Sequence, residues 1–307
     1  MDISVIIPSY NRREILRHCL QALLQQTLAA DAYEIIVVDD GSTDGTPDMV
    51  EALQSGARCR LVLARQSHRG PAAARNHGLR LSQGWLTVFI DSDILVRPDF
   101  LAAHRAAHDR PLLIAHGPVI HTEDLEHATE TPMRWTDHSR AFFATGNVSV
   151  ERRWLFEAGL FDETFREYGW EDLELGRRLR RLGLKGIPCP QAPGYHYHPP
   201  FRLEQLPAQL EKERQRGHTA LYYYRKHPVA EVRYATLVTP AALFLDRLLF
   251  AADWPCRPGT QALLRRCSAK GWSLPLRFLT RLALAHAYMA GVREALAEEA
   301  RQQAAAN

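Results

Sequence analysis

Apolar and polar positions alternate in blocks along the first ninety residues. Ile3–Pro8 is a short apolar run closed by proline, the length of a buried strand. Asn11-Arg12-Arg13-Glu14 has the form of a capping box, with Asn11 as cap, and Leu16, Cys19, Leu20, Leu23, Leu24 and Leu28 follow at helical spacing. Glu34–Asp40 predicts a second strand, Gly41–Gly45 a turn, and Thr46-Pro47 a helix start with proline in its first turn. Arg60–Ala64 predicts a third strand, Ala72–Leu81 a helix, and Trp85–Ile90 a fourth strand running into Asp91-Ser92-Asp93. This alternation predicts an α/β sheet that binds ligands beyond the carboxyl ends of its strands.

The pattern then loosens. Leu112–Ile120 reads as one strand, with shorter ones at Gly146–Val150 and Phe161–Phe165, and His121–Thr136 as a polar loop. Glu171–Leu182 has apolar Leu175, Leu179 and Leu182 on one face and is ended by Gly183, which predicts a helix. After the proline-rich stretch 187–200 the chain reads as helical, fraying over Gln302–Asn307.

Charge divides the chain. Residues 1–200 hold 22 basic and 26 acidic side chains, and residues 201–307 hold 16 basic and 9 acidic ones. With 46% hydrophobic and 24% charged residues, a disordered chain is excluded. Five irregularly spaced cysteines (Cys19, Cys59, Cys189, Cys256 and Cys267) form no CxxC pair and predict neither a zinc site nor a disulfide framework, which fits a reducing compartment. No signal-peptide pattern opens the sequence, and the longest apolar candidate for a span, Ala235–Leu245, is interrupted by Pro240. The expected location is the cytoplasm, with peripheral contact at the inner face of the membrane through 201–307. In that region Leu274, Leu276, Phe278, Leu279, Leu282 and Leu284 surround Arg277 and Arg281, the pattern of a helix lying on an anionic membrane or packed on protein, including a second copy of the chain.

Four constellations carry candidate chemistry, each at a predicted strand end. Asp91 and Asp93, at i and i+2 around Ser92, point to one side of an extended chain and can share a divalent cation; a solvated turn has the same sequence. Asp39-Asp40-Gly41-Ser42 combines a tight turn with carboxylates able to accept from a base N–H or a ribose hydroxyl. Pro8-Ser9-Tyr10 offers a ring for stacking on a base. Gly70-Pro71-Ala72-Ala73-Ala74-Arg75 brings an arginine that can face a diphosphate, without the GxGxxG or GxxxxGK[ST] glycine patterns. Further on, His196 and His198 share one face of an extended segment, and imidazole is a common transition-metal ligand.

Taken in order, "SVIIPSYNR", "EIIVVDDGSTDGT", "GPAAARNHGL" and "WLTVFIDSD", with "TGNVSVERRWLFEAGLFDETFREYGWEDLELGRRLRRLG" over 145–183, resemble the family 2 glycosyltransferases. The resemblance implies the GT-A fold: a mixed, mainly parallel sheet in residues 1–200, with a nucleotide-sugar-binding half (1–93) and an acceptor and catalytic half (94–200), followed by the basic helical region 201–307. It implies a nucleotide-diphospho-sugar donor, usually a UDP-sugar, with Mn²⁺ or Mg²⁺. Pro8, Ser9 and Tyr10 would line the base pocket, Asp40 would bind the base edge with Asp39 beside it in the donor site, and Arg75 would lie near the donor. Asp91 and Ser92 would stand at the ribose or metal-bound water, and Asp93 would bind the metal, completed by His196 or His198. Asp172 would be the general base and Glu171 its acceptor-orienting neighbour, with Trp170 offering a ring face to a sugar. Their place in the first turn of a helix predicts that the dipole keeps Asp172 ionised at neutral pH. The expected acceptor is a glycan, a lipid-linked sugar or a small molecule. A nucleotidyltransferase acting on sugar phosphates and a non-catalytic carbohydrate-binding protein are the competing readings. Nucleic-acid binding is not expected, because the basic residues of 201–307 lack interleaved aromatic platforms.

Overall fold

The computed structural model describes residues 1–139, 141–250, 254 and 257–306. They divide into two compact units, one of residues 1–166 and 171–200, the other of residues 167–170 and 201–307.

The first unit is built on a sheet whose central strands are apolar throughout. β1 (Ile3–Ser9), β2 (Tyr33–Asp39) and β4 (Leu86–Ile90) are almost wholly buried, as parallel strands covered on both faces must be. β3 (Arg60–Arg65), β6 (Leu113–His116), β8 (Asn147–Glu151) and β9 (Lys185–Pro188) complete the order β3-β2-β1-β4-β8-β6-β9. β3, β2, β1 and β4 run parallel; β8 is antiparallel to both β4 and β6. From β3 the chain crosses back over β1 to enter β4, so the strand order reverses beside β1. The crevice at that reversal lies outside the carboxyl ends of β1 and β4, where the candidate residues cluster.

Helices cover the sheet: α1 (Arg13–Leu23), α2 (Thr46–Gln54), α3 (Pro71–Leu81), α4 (Phe100–Ala107), α5 (Arg152–Glu157) and α6 (Glu171–Arg181). α3 lies close against β1 and β2 because Gly78 faces them: a Cβ there would stand 2.7 Å from Ile6 and 3.3 Å from Val38.

The single strand expected over Leu112–Ile120 is two. Gly117 and Pro118 interrupt it, Pro118 having no N–H for a ladder, and the second piece, β7 (Val119–Thr122), joins another sheet. That sheet has the order β5-β10-β7, with β5 (Ile94–Val96) directly after Asp93 and β10 (Gly194–Tyr197) inside the proline-rich stretch, where the sequence predicts an extended segment but no sheet. Phe161–Phe165 is not a strand; Phe161 instead packs edge-on against Phe89. The asparagine cap of α1 is also replaced. Asn11 takes a left-handed conformation (φ 52°) and its side chain accepts from Thr43 N at 2.8 Å, while Asp44 accepts from Arg13 N at 3.0 Å. Asn11 thus joins the loops after β1 and β2.

The second unit is helical, with α7 (Leu206–Lys226), α8 (Ala230–Ala235), α9 (Pro240–Leu249), α10 (Pro258–Ala269) and α11 (Ser273–Ala306), which remains helical over residues 302–306. No helix among the described residues is long and apolar enough to cross a membrane. Cys19, Cys59, Cys189 and Cys267 are free and buried; Cys256 and Asn307 lie outside the described residues.

Phe89, fully buried in β4 and edge-on to both Phe143 and Phe161, ties the central strand to the segments that follow it. Phe89→Ala should lower the unfolding free energy by about 3–5 kcal/mol in urea titration; an unchanged midpoint would mean that this cluster is not a structural centre.

Candidate active site

Strand register brings the first loops together. Ser9 pairs with Asp39, and Asp39 with Arg65, so the three parallel strands end at one level. Asp40, nearly buried, spends both carboxylate oxygens on the following loop. Oδ1 accepts from Gln66 Nε2 at 2.7 Å and Arg69 N at 2.9 Å; Oδ2 accepts from Gly70 N at 2.9 Å and lies 2.9 Å from His68 Nδ1. Asp40 therefore shapes the loop into α3, and no open carboxylate edge remains for a base. Asp39 differs: Oδ2 accepts from Ser42 N at 3.2 Å, and Oδ1 has no partner. Pro8 is half-buried, Ser9 is buried with its hydroxyl unpaired, and the exposed Tyr10 ring stacks on His68 with centroids 4.2 Å apart.

Gly70 begins α3 at φ 88°, and a Cβ on it would strike the Arg166 carbonyl oxygen. One turn on, Arg75 is 5% exposed, which replaces the surface position that a helical arginine usually occupies. Its Nη1 donates to Glu171 Oε1 at 2.9 Å and its Nη2 to Asp91 Oδ1 at 3.2 Å. The guanidinium thus bridges the end of β4 and the start of α6, two carboxylates 80 residues apart in sequence. Ser92, between Asp91 and Asp93, is buried.

Asp93 faces the second sheet. His196 Nε2 lies 3.1 Å from Asp93 Oδ1, and Arg12 is 3.8 Å from Oδ2. Burial would raise the Asp93 pKa, but His196 and Arg12 outweigh it and hold the carboxyl below its usual value. His198 Nε2 is 3.1 Å from His196 Nδ1. A third imidazole joins them: His121 in β7 stands opposite His196 in the strand register, and one ring nitrogen from each of the three histidines lies within 4.8 Å of the others. The sequence predicts a polar loop at His121, and the structure places it in β7. Its signal was its own placement one residue after the apolar Val119-Ile120, legible only with β7 recognised as a strand. Three imidazoles beside a carboxylate are a donor set suited to a divalent transition ion.

The acid pair sits at the head of α6, as expected, but its electrostatics are not those of a simple helix start. Burial, and then the neighbouring Glu171 charge, push Asp172 up to about 7, against the opposing effects of Arg75 and the backbone amides of Leu173 and Thr145. The expectation that the helix dipole keeps Asp172 fully ionised is corrected: desolvation of the half-buried carboxylate and the adjacent Glu171 charge together outweigh what one helix turn returns. Glu171 keeps Oε2 without a partner. Trp170, belonging to the second unit, is buried, donates from Nε1 to Arg216 O at 2.8 Å and stacks on Tyr223, so it presents no open ring face to a sugar.

The sequence profile described as glycosyl transferase family 2 matches residues 4–163, more than half of the chain. The chain belongs to glycosyl transferase family 2. It is 32% identical over 219 residues to the validoxylamine A glucosyltransferase of Streptomyces hygroscopicus subsp. jinggangensis, covering 59% of this chain and 52% of that protein. It is 29% identical over 240 residues to the chondroitin synthase of Escherichia coli, covering 64% of this chain and 35% of that one. The chain thus spans about half or less of the length of these two relatives. Among solved structures, a mannosyltransferase from Pyrobaculum calidifontis in complex with GDP-Man and Mn²⁺ is similar with a TM-score of 0.59 at 22% identity, over 96% of this chain and 86% of that one. Staphylococcus aureus TarS 1-349 in complex with UDP-GlcNAc gives 0.52 at 17% identity, over 99% and 92%. The fold of this family 2 chain is accordingly of the GT-A type, a mainly parallel α/β sheet followed by helices.

Gly70→Ala tests the loop that Asp40 shapes. Both the left-handed backbone and the Arg166 carbonyl oppose a side chain, so the variant should lose about 2–4 kcal/mol of stability. A wild-type urea midpoint would show that the loop can move without cost.

Proposed function

We propose that the chain is an inverting glycosyltransferase that moves a sugar from a nucleotide-diphospho-sugar to an acceptor hydroxyl, with Asp172 as general base. The observation that carries this reading is the half-buried Asp172 at the head of α6, beside a Glu171 that Arg75 ties to the end of β4; desolvation and the Glu171 charge push its carboxyl up to about 7. A base working at neutral pH needs a pKa near neutrality and a fixed position, and this one has both. Asp172 takes the hydroxyl proton as the acceptor oxygen attacks the anomeric carbon. The bond from that carbon to the diphosphate oxygen breaks on the opposite face, and its electron pair leaves with the nucleoside diphosphate. Glu171, with Oε2 free, orients the acceptor.

Tyr10, Ser9 and Pro8 are the proposed walls of the base pocket. Of the two adjacent aspartates, Asp39 is the better partner for the nucleoside, since its Oδ1 is unspent whereas Asp40 is committed to the loop. Arg75, held by Asp91 and Glu171, keeps these two carboxylates apart and fixed, and acts on the donor through them. The UDP-GlcNAc complex of TarS makes UDP-sugars the first donors to test, with GDP-sugars second because the Pyrobaculum enzyme is complexed with GDP-Man. Asp93 and His196, with His198 and His121 adjoining, are the residues that would hold a divalent cation, and its charge would offset that of the departing diphosphate. An imidazole-rich set favours Mn²⁺ over Mg²⁺.

Asp172→Asn should reduce transfer at least about a thousandfold while donor affinity changes little; transfer at the normal rate would remove Asp172 as base. Because the base acts when deprotonated, kcat/KM should fall as pH drops through about 7. Glu171→Gln removes a negative neighbour, lowers the Asp172 pKa and should move this acid limb to lower pH; a limb that stays in place or moves up would contradict the assignment.

The metal assignment has its own test. Mn²⁺ titrated into the protein and followed by electron paramagnetic resonance should bind at least about tenfold more weakly to His196→Ala. Equal binding by that variant would take His196 out of the site.

A further inference from the structure

The helical unit contains an inverted helix. α9 turns its one carboxylate inward: Asp246 is buried, ion-paired with Arg293 and 3.2 Å from His286 Nδ1, both on α11. Outward it turns Phe244, Leu245, Leu248 and Leu249, which are 69%, 51%, 65% and 54% exposed. A helix facing water has the opposite arrangement, with its apolar stripe inside. The start of α11 repeats the pattern, with Leu274 and Phe278 exposed and Thr280 and His286 buried.

The charge excess of the unit lies in the same stretch. Residues 240–281 hold seven basic and two acidic side chains, one of the latter being the buried Asp246. Arg247, Arg265, Arg266, Lys270, Arg277 and Arg281 are exposed there. Elsewhere in the unit three arginines meet internal acids: Arg214 pairs with Glu211 and Glu294, Arg216 with Glu213, and Arg225 with Glu299.

We propose that α9 and the first turns of α11 form a docking surface for an anionic lipid bilayer. Phe244, Leu248, Leu274 and Phe278 enter the boundary between headgroups and acyl chains, and the surrounding arginines reach lipid phosphates. The helices are too short or too polar to span, which fits a surface lying in the interface. Charge favours lipid over a second copy of the chain. A two-fold dimer through this face would set the same basic patch against itself, whereas an anionic leaflet complements it. None of these residues belongs to the proposed active site, and the inference does not depend on the catalytic roles assigned there.

The test is co-sedimentation of the full chain with vesicles of phosphatidylcholine, with and without phosphatidylglycerol. The wild type should bind the anionic vesicles at least about tenfold more strongly than the neutral ones, and added salt should weaken binding. The variant Phe244→Ser/Leu248→Ser/Phe278→Ser alters only exposed positions and should lose that binding while keeping its thermal midpoint and its affinity for nucleotide-sugar. Arg277→Gln/Arg281→Gln should weaken binding without touching the apolar contacts. No vesicle binding, or equal binding to both compositions, would overturn the proposal. So would light scattering that finds a dimer of the wild type which the triple variant dissolves.

Discussion

A buried guanidinium organises the first unit. Arg75 lies between Glu171 and Asp91 at the heart of the site, where an unpaired charge would cost several kcal/mol in lost hydration. Two carboxylates make that burial tolerable, and they come from distant parts of the chain, the end of a central strand and the first turn of α6, which also share one apolar core through Phe89, Leu175 and Leu179. The supporting structure follows from this need. Gly70 lets the chain turn into α3, Gly78 lets α3 approach the sheet, and Asp40 fixes the loop that leads into α3. The base proposed at Asp172 depends on the same contact, because Arg75 limits how far burial and Glu171 raise its pKa.

The parts of the fold legible in the sequence were those with a strong period. β1, β2, β4 and the helices between them follow from apolar runs and helical spacing, and the strand-end acids could be located because a parallel sheet puts its loops at one edge. The small sheet was not legible. β5 has three residues and β7 and β10 four each, too few to display a period, and they assemble from segments about 25 and 75 residues apart. With β7 unseen, His121 could not be set beside His196.

Asn11 and Asp172 owe their roles to environment rather than to local sequence. Asn11 carries a cap-like signature, yet its left-handed backbone and its bond to Thr43 serve a contact between loops 32 residues apart. Asp172 lies in the first turn of a helix, as its sequence implies, but its ionisation is governed by burial and by Glu171, and burial is a property of the folded state. The basic tail shows the complementary lesson. Its net charge is plain from composition, but only the ion pairs reveal that Arg214, Arg216 and Arg225 are spent on internal acids, while the seven basic residues of 240–281 share their stretch with exposed leucine and phenylalanine.

The claim that Arg75 joins the two acid clusters is open to a double-mutant cycle in unfolding free energy. Arg75→Met and Glu171→Gln should each be destabilising, by about 3–5 kcal/mol where a buried charge is left without its partner. The double variant should cost clearly less than the sum, by at least about 1 kcal/mol, because Arg75→Met strands Glu171 and Glu171→Gln leaves Arg75 with Asp91 alone. Additive losses would mean that the two side chains do not depend on each other, and the account of the site built on their contact would fail.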